Sequence, residues 1–402
     1  MKKLICLFLS VLMLMAFVAC KDTGATNEQA DNGASQGENG PNVREETPVT
    51  DEEIAHLESL YAGLTMHHGQ LHDHANTGRR SDGKATLTEW KEGMPAVGME
   101  YVALLDHRQT DHLYLPEWDP TLFISGSEAM TYVNDRPEEY NKYHYNMIFP
   151  SVVEMEEHLT EFRMEYMFGN GVFDYNPMTS AKFTEVIKSV LDKGGYFVIP
   201  HPAQTAPEIC DDPMQYYFCD GIGYEVFYHI SENESARDQQ TQNNYKIWTG
   251  MLANGAKVYC SSGSDVHNLP TNRGLSTIYS SEKLDTSYIE QLRKGNYTAG
   301  PVGVRMTIGE TTMGGTGTFA GQRVVVAVGD FHSDFAIAGH TYRIDIVSDT
   351  GLVYSASVDP SQMNYFAIDA DENAKFYRVE IHDEANNYSL LALGNPIWNA
   401  EA

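Results

Sequence analysis

Gln70–Gly83 reads QLHDHANTGRRSDG, and the first five residues decide the fold. They close an apolar run, LTMHHGQLHDH, whose alternation reads as a β-strand. On a strand His72 and His74 point to one face and Asp73 to the other. Two imidazoles on one face can hold one metal ion, and two ordinary surface histidines would look the same. What separates these readings is whether other strands end in the same way.

They do. Further apolar runs are MEYVALLDH, TLFISGSE, YHYNMIF, GYFVIPH, GIGYEVF and AKVYCSSGSD. Between several of them lie helical stretches. SAKFTEVIKSVLDKGG is the clearest, with Ser180 placed to cap it and Gly194 and Gly195 to stop it. Strand–helix alternation implies parallel strands and an α/β barrel or open sheet. Collected at the strand ends are His72 and His74, Asp106 and His107, Glu128, His144, His201, and Asp265 with His267. In α/β barrels the chemistry sits at the mouth formed by several strand ends. A lone histidine there is usually structural, and a lone Asp usually caps a turn, but so many together read as a metal centre. They exceed what one ion needs, which suggests two ions, or three, with a bridging carboxylate. Imidazoles mixed with carboxylates suit Zn, Mn or Fe. His56, His67, His112, His158, His229, His332, His340 and His382 lack this placement and read as structural, with His68 intermediate.

The 402-residue chain is long enough for two or three domains and carries a formal net charge of −29, from 56 acidic and 27 basic residues. No basic run follows the N-terminus, which argues against nucleic acid as a partner. Lys2 and Lys3, an apolar stretch and then Ala19-Cys20 read as a signal, residues 1–20, with Cys20 as a lipidation site. Residues 21–60 begin polar and Gly-rich and read as a disordered linker. The barrel then covers 61–302. From 303 to 402 the texture changes to alternating strands with turns, implying a small antiparallel β domain. Cys210 and Cys219 read equally as a disulfide or as two thiols.

The motifs L-H-D-H, L-L-D-H, G-S-E, H-Y-N, I-P-H-P and S-D-V-H, in this order over residues 65–302, resemble the PHP (polymerase and histidinol phosphatase) superfamily. L-G-N-P-I-W near the C-terminus is similar to its CehA/McbA branch. The resemblance implies a distorted (βα)7 TIM-like barrel with a multinuclear centre. It implies that His72, His74, Glu128 and Asp265 hold one ion, that Glu128 bridges to a second held by His144 and His201, and that Asp82, His107 and His267 hold a third. Ala75 stands where the family has Thr, and the S-D-G is displaced by a three-residue insertion, which makes Asp82 the departure to check.

This reading leads to a hydrolase using metal-activated hydroxide, first of all on a phosphate ester, with Glu128 and Asp265 at the centre of the chemistry. Asp106 is expected to support a ligand, and Arg108 and Arg273 to grip phosphate. An alternative keeps the metals and changes the substrate to a carboxylic or carbamic ester or an amide. Tyr114, Trp118, Tyr143, Tyr145, Phe227 and Tyr228 would then line an aromatic mouth. A third reading is a non-catalytic metal- or solute-binding lipoprotein. The expected address is extracytoplasmic, held to the membrane by lipid alone, with a small-molecule ester as the only partner.

Overall fold

The computed structural model describes residues 47–402 apart from 79–80, 108–109, 163–175, 205–210, 229–233, 282–283 and 387–388. The histidine-bearing strand is β1 (Thr65–Asp73). It pairs in parallel with β2 (Tyr101–Leu104), which pairs in parallel with β3 (Phe123–Ile124). A second sheet runs in the order β6 (Asn176–Met178), β4 (Gly126–Val133), β5 (Lys142–Ile148), β7 (Tyr196–Ile199), β8 (Gly223–Phe227), β9 (Tyr259–Ser262). β7, β8 and β9 are parallel, but β5 runs antiparallel to β4 and β7. Only residues 134–141 join β4 to β5, too few for the helical crossover that parallel strands require. The two sheets touch at parallel bridges, Asp73 with Val266 and His107 with Glu128. The expected α/β class therefore holds as a mixed α/β fold, and among the described residues the pairing is not that of a continuous TIM-like barrel.

Helices α2 (Leu87–Gly93), α3 (Val152–Glu161), α4 (Ser180–Asp192), α5 (Glu234–Ala253) and α6 (Leu284–Lys294) complete this part. α4 buries Phe183, Val186, Ile187 and Val190, spaced three or four apart as an amphipathic helix demands. Its cap is Thr179, whose hydroxyl accepts from Lys182 N–H, one residue before the expected Ser180. Gly194, at φ 75°, stops it where a side chain would be strained.

The C-terminal strands form a sandwich. One sheet holds β12 (Gly303–Ile308), β13 (Thr311–Thr312), β15 (Arg323–Gly329) and β18 (Asn364–Asp369). The other holds β16 (Tyr342–Ser348), β17 (Gly351–Val358), β19 (Phe376–Asp383) and β20 (Ser389–Asn399), with β14 (Thr316–Gly317) alongside β20. Val304, Val324, Val326, Ile344, Ile346 and Ile381 fill the space between them. β20 also pairs with β11 (Tyr297–Ala299), which pairs with β10 (Ser276–Ser280) and so with β1. A ten-stranded sheet thus runs from the sandwich into the histidine-bearing half. Residues 47–402 belong to one compact unit.

One boundary needs correction. Asp51–Leu60 is not disordered linker but helix α1. Thr50 and Glu53 form a reciprocal capping box, and acidic residues fill the first turn, favourable against the helix dipole. Leu57 and Tyr61 pack with Tyr279, Val325, Ala327 and Ala367. Arg305 and Arg323 each pair with an α1 glutamate, Glu58 and Glu53, at 2.6 Å. Among the described residues no helix is long and apolar enough to cross a membrane. The signal segment and Cys20 lie outside the described residues, as does Cys210; Cys219 is a free thiol.

Candidate metal centre

Strand alternation does what the sequence implies: His72 and His74 are fully buried and share a face. Asp73 points the other way, accepting from Ser264 Oγ at 2.6 Å and Val266 N–H at 3.0 Å, with burial pushing its carboxyl up to about 7. Glu128 is the third residue of β4 rather than a strand end, and its side chain reaches the two histidines. His144 is the third residue of β5; because β5 runs antiparallel, its first half lies where the parallel strands finish. His201 follows β7 between Pro200 and Pro202, and Asp265 follows β9. Their φ angles, 30° and 51°, are two of only three positive values at non-glycine positions among the described residues. Such backbone costs about 1–3 kcal/mol each and is found where surrounding contacts enforce it.

Glu128 is the hub. Its Oε2 lies 3.5 Å from His72 Nε2, 3.3 Å from His74 Nε2 and 3.0 Å from His107 Nδ1. Its Oε1 lies 2.8 Å from His144 Nδ1 and 3.6 Å from His201 Nε2. Asp265 Oδ1 is 2.9 Å from His74 Nε2. Asp82 also arrives, 3.1 Å from His267 Nε2 and 3.4 Å from His107 Nε2. Described residues on either side of Asp82 are tied down by backbone bonds. Asn76 N–H donates to Ala85 O, and Lys84 N–H to His267 O, each at 2.7 Å. Gly83 packs on the Ala75 backbone so closely that any Cβ would collide. Three overlapping groups result: His72–His74–Glu128–Asp265, Glu128–His144–His201 and His74–Asp82–His107–His267. Within each, one ligand atom per residue lies within 4.8 Å of the others.

The electrostatics follow from burial and crowding. Burial works to raise Glu128 and Asp265, yet the surrounding imidazoles hold both carboxyls below their ordinary range. The same contacts, against burial, raise His72 well above an ordinary imidazole and His74 to about 10. At neutral pH an ion would therefore displace protons on binding.

The residues fit a metal on a separate ground. His72 Nε2, both ring nitrogens of His74 and of His201, Glu128 Oε2 and Asp265 Oδ1 are buried and have no hydrogen bond among the described residues, though they crowd one another. Buried polar atoms are nearly always satisfied. Seven left over at one point are what a divalent ion would satisfy. The absence of Cys and the His/carboxylate mixture suit Zn, Mn or Fe.

Comparison with known proteins adds little. No family model matches the chain. No curated protein matches it either. Among solved structures, a lesion-specific endonuclease from Pyrococcus furiosus is similar at 14% identity and TM-score 0.38, over 57% of this chain and 56% of that one. A candidate metal-dependent phosphoesterase from Bifidobacterium adolescentis is similar at 14% identity and TM-score 0.29, over 51% of this chain and 90% of that one. Likeness this distant carries no functional inference.

Asp106 is not a member of the three groups. Asp106 is turned to the loop after β1, accepting from Ala75 N–H at 2.9 Å and from the Thr77 hydroxyl. Arg273 enters through its carbonyl, which accepts from Gln70 Nε2, and its guanidinium has no ion-pair partner among the described residues. Arg108 lies outside the described residues. The aromatic mouth also fails. Tyr143 and Tyr145, flanking His144, face the opposite side of β5 and pack on Phe183. Tyr114 bonds Glu156, and Trp118 lies against Phe123. Only Tyr228 reaches the centre, through Asp265. His382 joins Asp345 and Glu380 in a fourth cluster, but Arg343, Arg378, Ser355 and Tyr245 already satisfy those carboxylates.

Sequence reasoning missed Glu225. It is 1% exposed on β8, and its Oε1 lies 3.2 Å from His72 Nδ1. The signal was present: one glutamate inside the apolar run GIGYEVF. A charge on a strand buried on both faces must meet a partner.

Proposed function

We propose that the chain is a metal-dependent hydrolase acting on phosphate esters, with two or three divalent ions held by the three overlapping groups. The supporting observation is the shared Glu128 and His74, which join ligands from β1, β4, β5 and the segments after β2, β7 and β9 into one continuous centre. A capture protein needs one closed site, whereas this centre is extended and reaches solvent at one end. His72, Glu128 and His201 are closed off, while the side chains of Asp82 and His267 are 28% and 25% exposed. A substrate would thus approach from the Asp82–His267 side.

Bound divalent ions of this kind acidify water and neutralise charge developing on a transferred group. His72, His74, Glu128 and Asp265 would hold the first ion, with Glu128, His144 and His201 holding the second. Asp82, His107 and His267, nearest solvent, would complete the third ion site with His74, on the side from which a phosphate ester would approach. The buried walls exclude bulk water, so charges in the centre act at low effective dielectric. The carbonyl-ester alternative keeps the same metals; of the aromatics that would favour an apolar leaving group, Tyr143 and Tyr145 are core residues. The polar N-terminal segment with Cys20 supports an extracytoplasmic, lipid-anchored address, and the acidic chain supports a small ester rather than nucleic acid as substrate.

The test is metal content, measured by elemental analysis, alongside turnover of p-nitrophenyl phosphate, its bis-ester and p-nitrophenyl acetate. Phosphate-ester cleavage in proportion to bound metal is expected. In Glu128→Gln both should collapse together, turnover by about a thousandfold or more, the scale of losing a group that stabilises transition-state charge. Cleavage of the acetate alone, or wild-type turnover in the variant, would refute the proposal.

A further inference from the structure

Strand β8 and Tyr228, the residue that follows it, contribute no member to the three groups, yet their side chains grip three of those members. Glu225 Oε1 faces His72 Nδ1 at 3.2 Å, and its Oε2 accepts His201 N–H at 3.0 Å. A carboxylate only accepts, so once an ion has displaced a proton from His72 the nitrogen facing Glu225 keeps its hydrogen, and Nε2 is left with its lone pair for the cluster. The second bond pins the backbone of His201, whose φ is 30°. Gly263 leaves the room required: a Cβ there would strike both Glu225 Oε1 and His72 Cβ. Three residues along, the buried Tyr228 donates to Asp265 Oδ2 at 3.0 Å, leaving Oδ1 for the side shared with His74. Its ring also lies against His201, with centroids 4.7 Å apart.

Residues 225 and 228 would point to opposite faces of a regular strand. They meet the same centre because the β8–β9 pairing shifts register between Glu225 and Phe227. A bulge of this kind re-aims side chains, and bulges concentrate next to active sites.

We propose that β8 is the positioning strand of the centre: Glu225 sets the tautomer of His72 and the backbone of His201, Tyr228 assigns one oxygen of Asp265, and together they set the affinity for divalent ions. This rests on the metal-centre reading above. Glu225→Gln keeps the shape but offers one accepting oxygen to two N–H donors. Its amide must then either oppose His201 N–H or force His72 into the tautomer whose Nε2 bears hydrogen.

The probe is Co(II) alone, titrated into chelator-stripped protein against a competing chelator and followed by visible absorption. Wild type should load. Glu225→Gln should bind about 10–100-fold more weakly and Tyr228→Phe about tenfold, the range for outer partners of metal ligands. Both should show altered Co(II) bands, with far-UV dichroism unchanged. Altered bands mark repositioned ligands, which a purely structural role would not produce. Wild-type affinity and superimposable spectra in both variants would overturn the proposal. Should Glu225→Gln not fold, Tyr228→Phe, which lacks a single hydroxyl, decides; its failure to fold would also overturn it. A wild type that takes up no Co(II) would instead sink the metal reading itself.

Discussion

Stripping divalent ions from the protein should lower its melting temperature by about 10 °C. The magnitude comes from the seven buried polar atoms of His72, His74, His201, Glu128 and Asp265 that lack hydrogen bonds. An unsatisfied buried polar group costs about 1–3 kcal/mol; because contacts such as His74 Nε2 to Asp265 Oδ1 at 2.9 Å offset part of this, each atom is counted at the low end, giving about 7 kcal/mol that bound ions relieve. Roughly 350 ordered residues unfold with an entropy of about 0.7 kcal/mol/K, which converts 7 kcal/mol into about 10 °C. By mass action that gain corresponds to free ion at roughly 10⁵ times its dissociation constant, reached with about 1 μM ion at an affinity of about 10 pM. The assay is differential scanning calorimetry of full-length protein with chelator, then after reloading with zinc or manganese. Glu128→Gln, lacking the hub carboxylate, should lose most of the response. A wild-type shift below ~2 °C, equivalent to about 1.5 kcal/mol, would refute the reasoning. An equal shift in the variant would place the stabilising ion elsewhere.

Leu57→Ala should destabilise the protein by about 3–5 kcal/mol in urea unfolding, because Leu57 is fully buried between α1 and Tyr279, Val325 and Ala367; a loss under ~1 kcal/mol would mean that α1 is not docked. His158 is held neutral by burial, at about 4, so the folded state resists a proton that the unfolded state takes up near pH 6.5. Its stability contribution is complete above pH 6.5 and falls as pH drops toward 4. The wild-type minus His158→Phe difference in unfolding free energy should fall by about 3 kcal/mol as pH drops from 6.5 to 4, and a flat difference would contradict it. Asp106→Asn should loosen the loop that delivers Asp82, reducing ion content by the Asp82–His107–His267 site alone, as elemental analysis can read; unchanged content would show the loop holds without it.

Much of this protein is legible along the chain, because local physics writes it there. Period-two alternation placed His72 and His74 on one face, the spacing of Phe183, Val186 and Ile187 marked α4, and the texture after residue 303 marked the sandwich. Residue type marked the strand-end histidines and carboxylates. α1 was overlooked because its apolar residues are few; Thr50 and Glu53 were the clue, and partners some 270 residues away complete the docking. Which loop Asp106 holds, through Ala75 N–H and the Thr77 hydroxyl, was not legible, because sequence position says nothing about the direction in which a side chain turns.

What only the tertiary structure decided is pairing and aim. The direction of β5 brings His144 to the same end as His201. The irregular pairing of β8 aims Glu225 and Tyr228 together, and β20 ties the sandwich to the histidine-bearing sheet. Each depends on hydrogen bonds between segments far apart in the chain. Composition and periodicity report only which face of an element is apolar, and they do not specify which element lies opposite it.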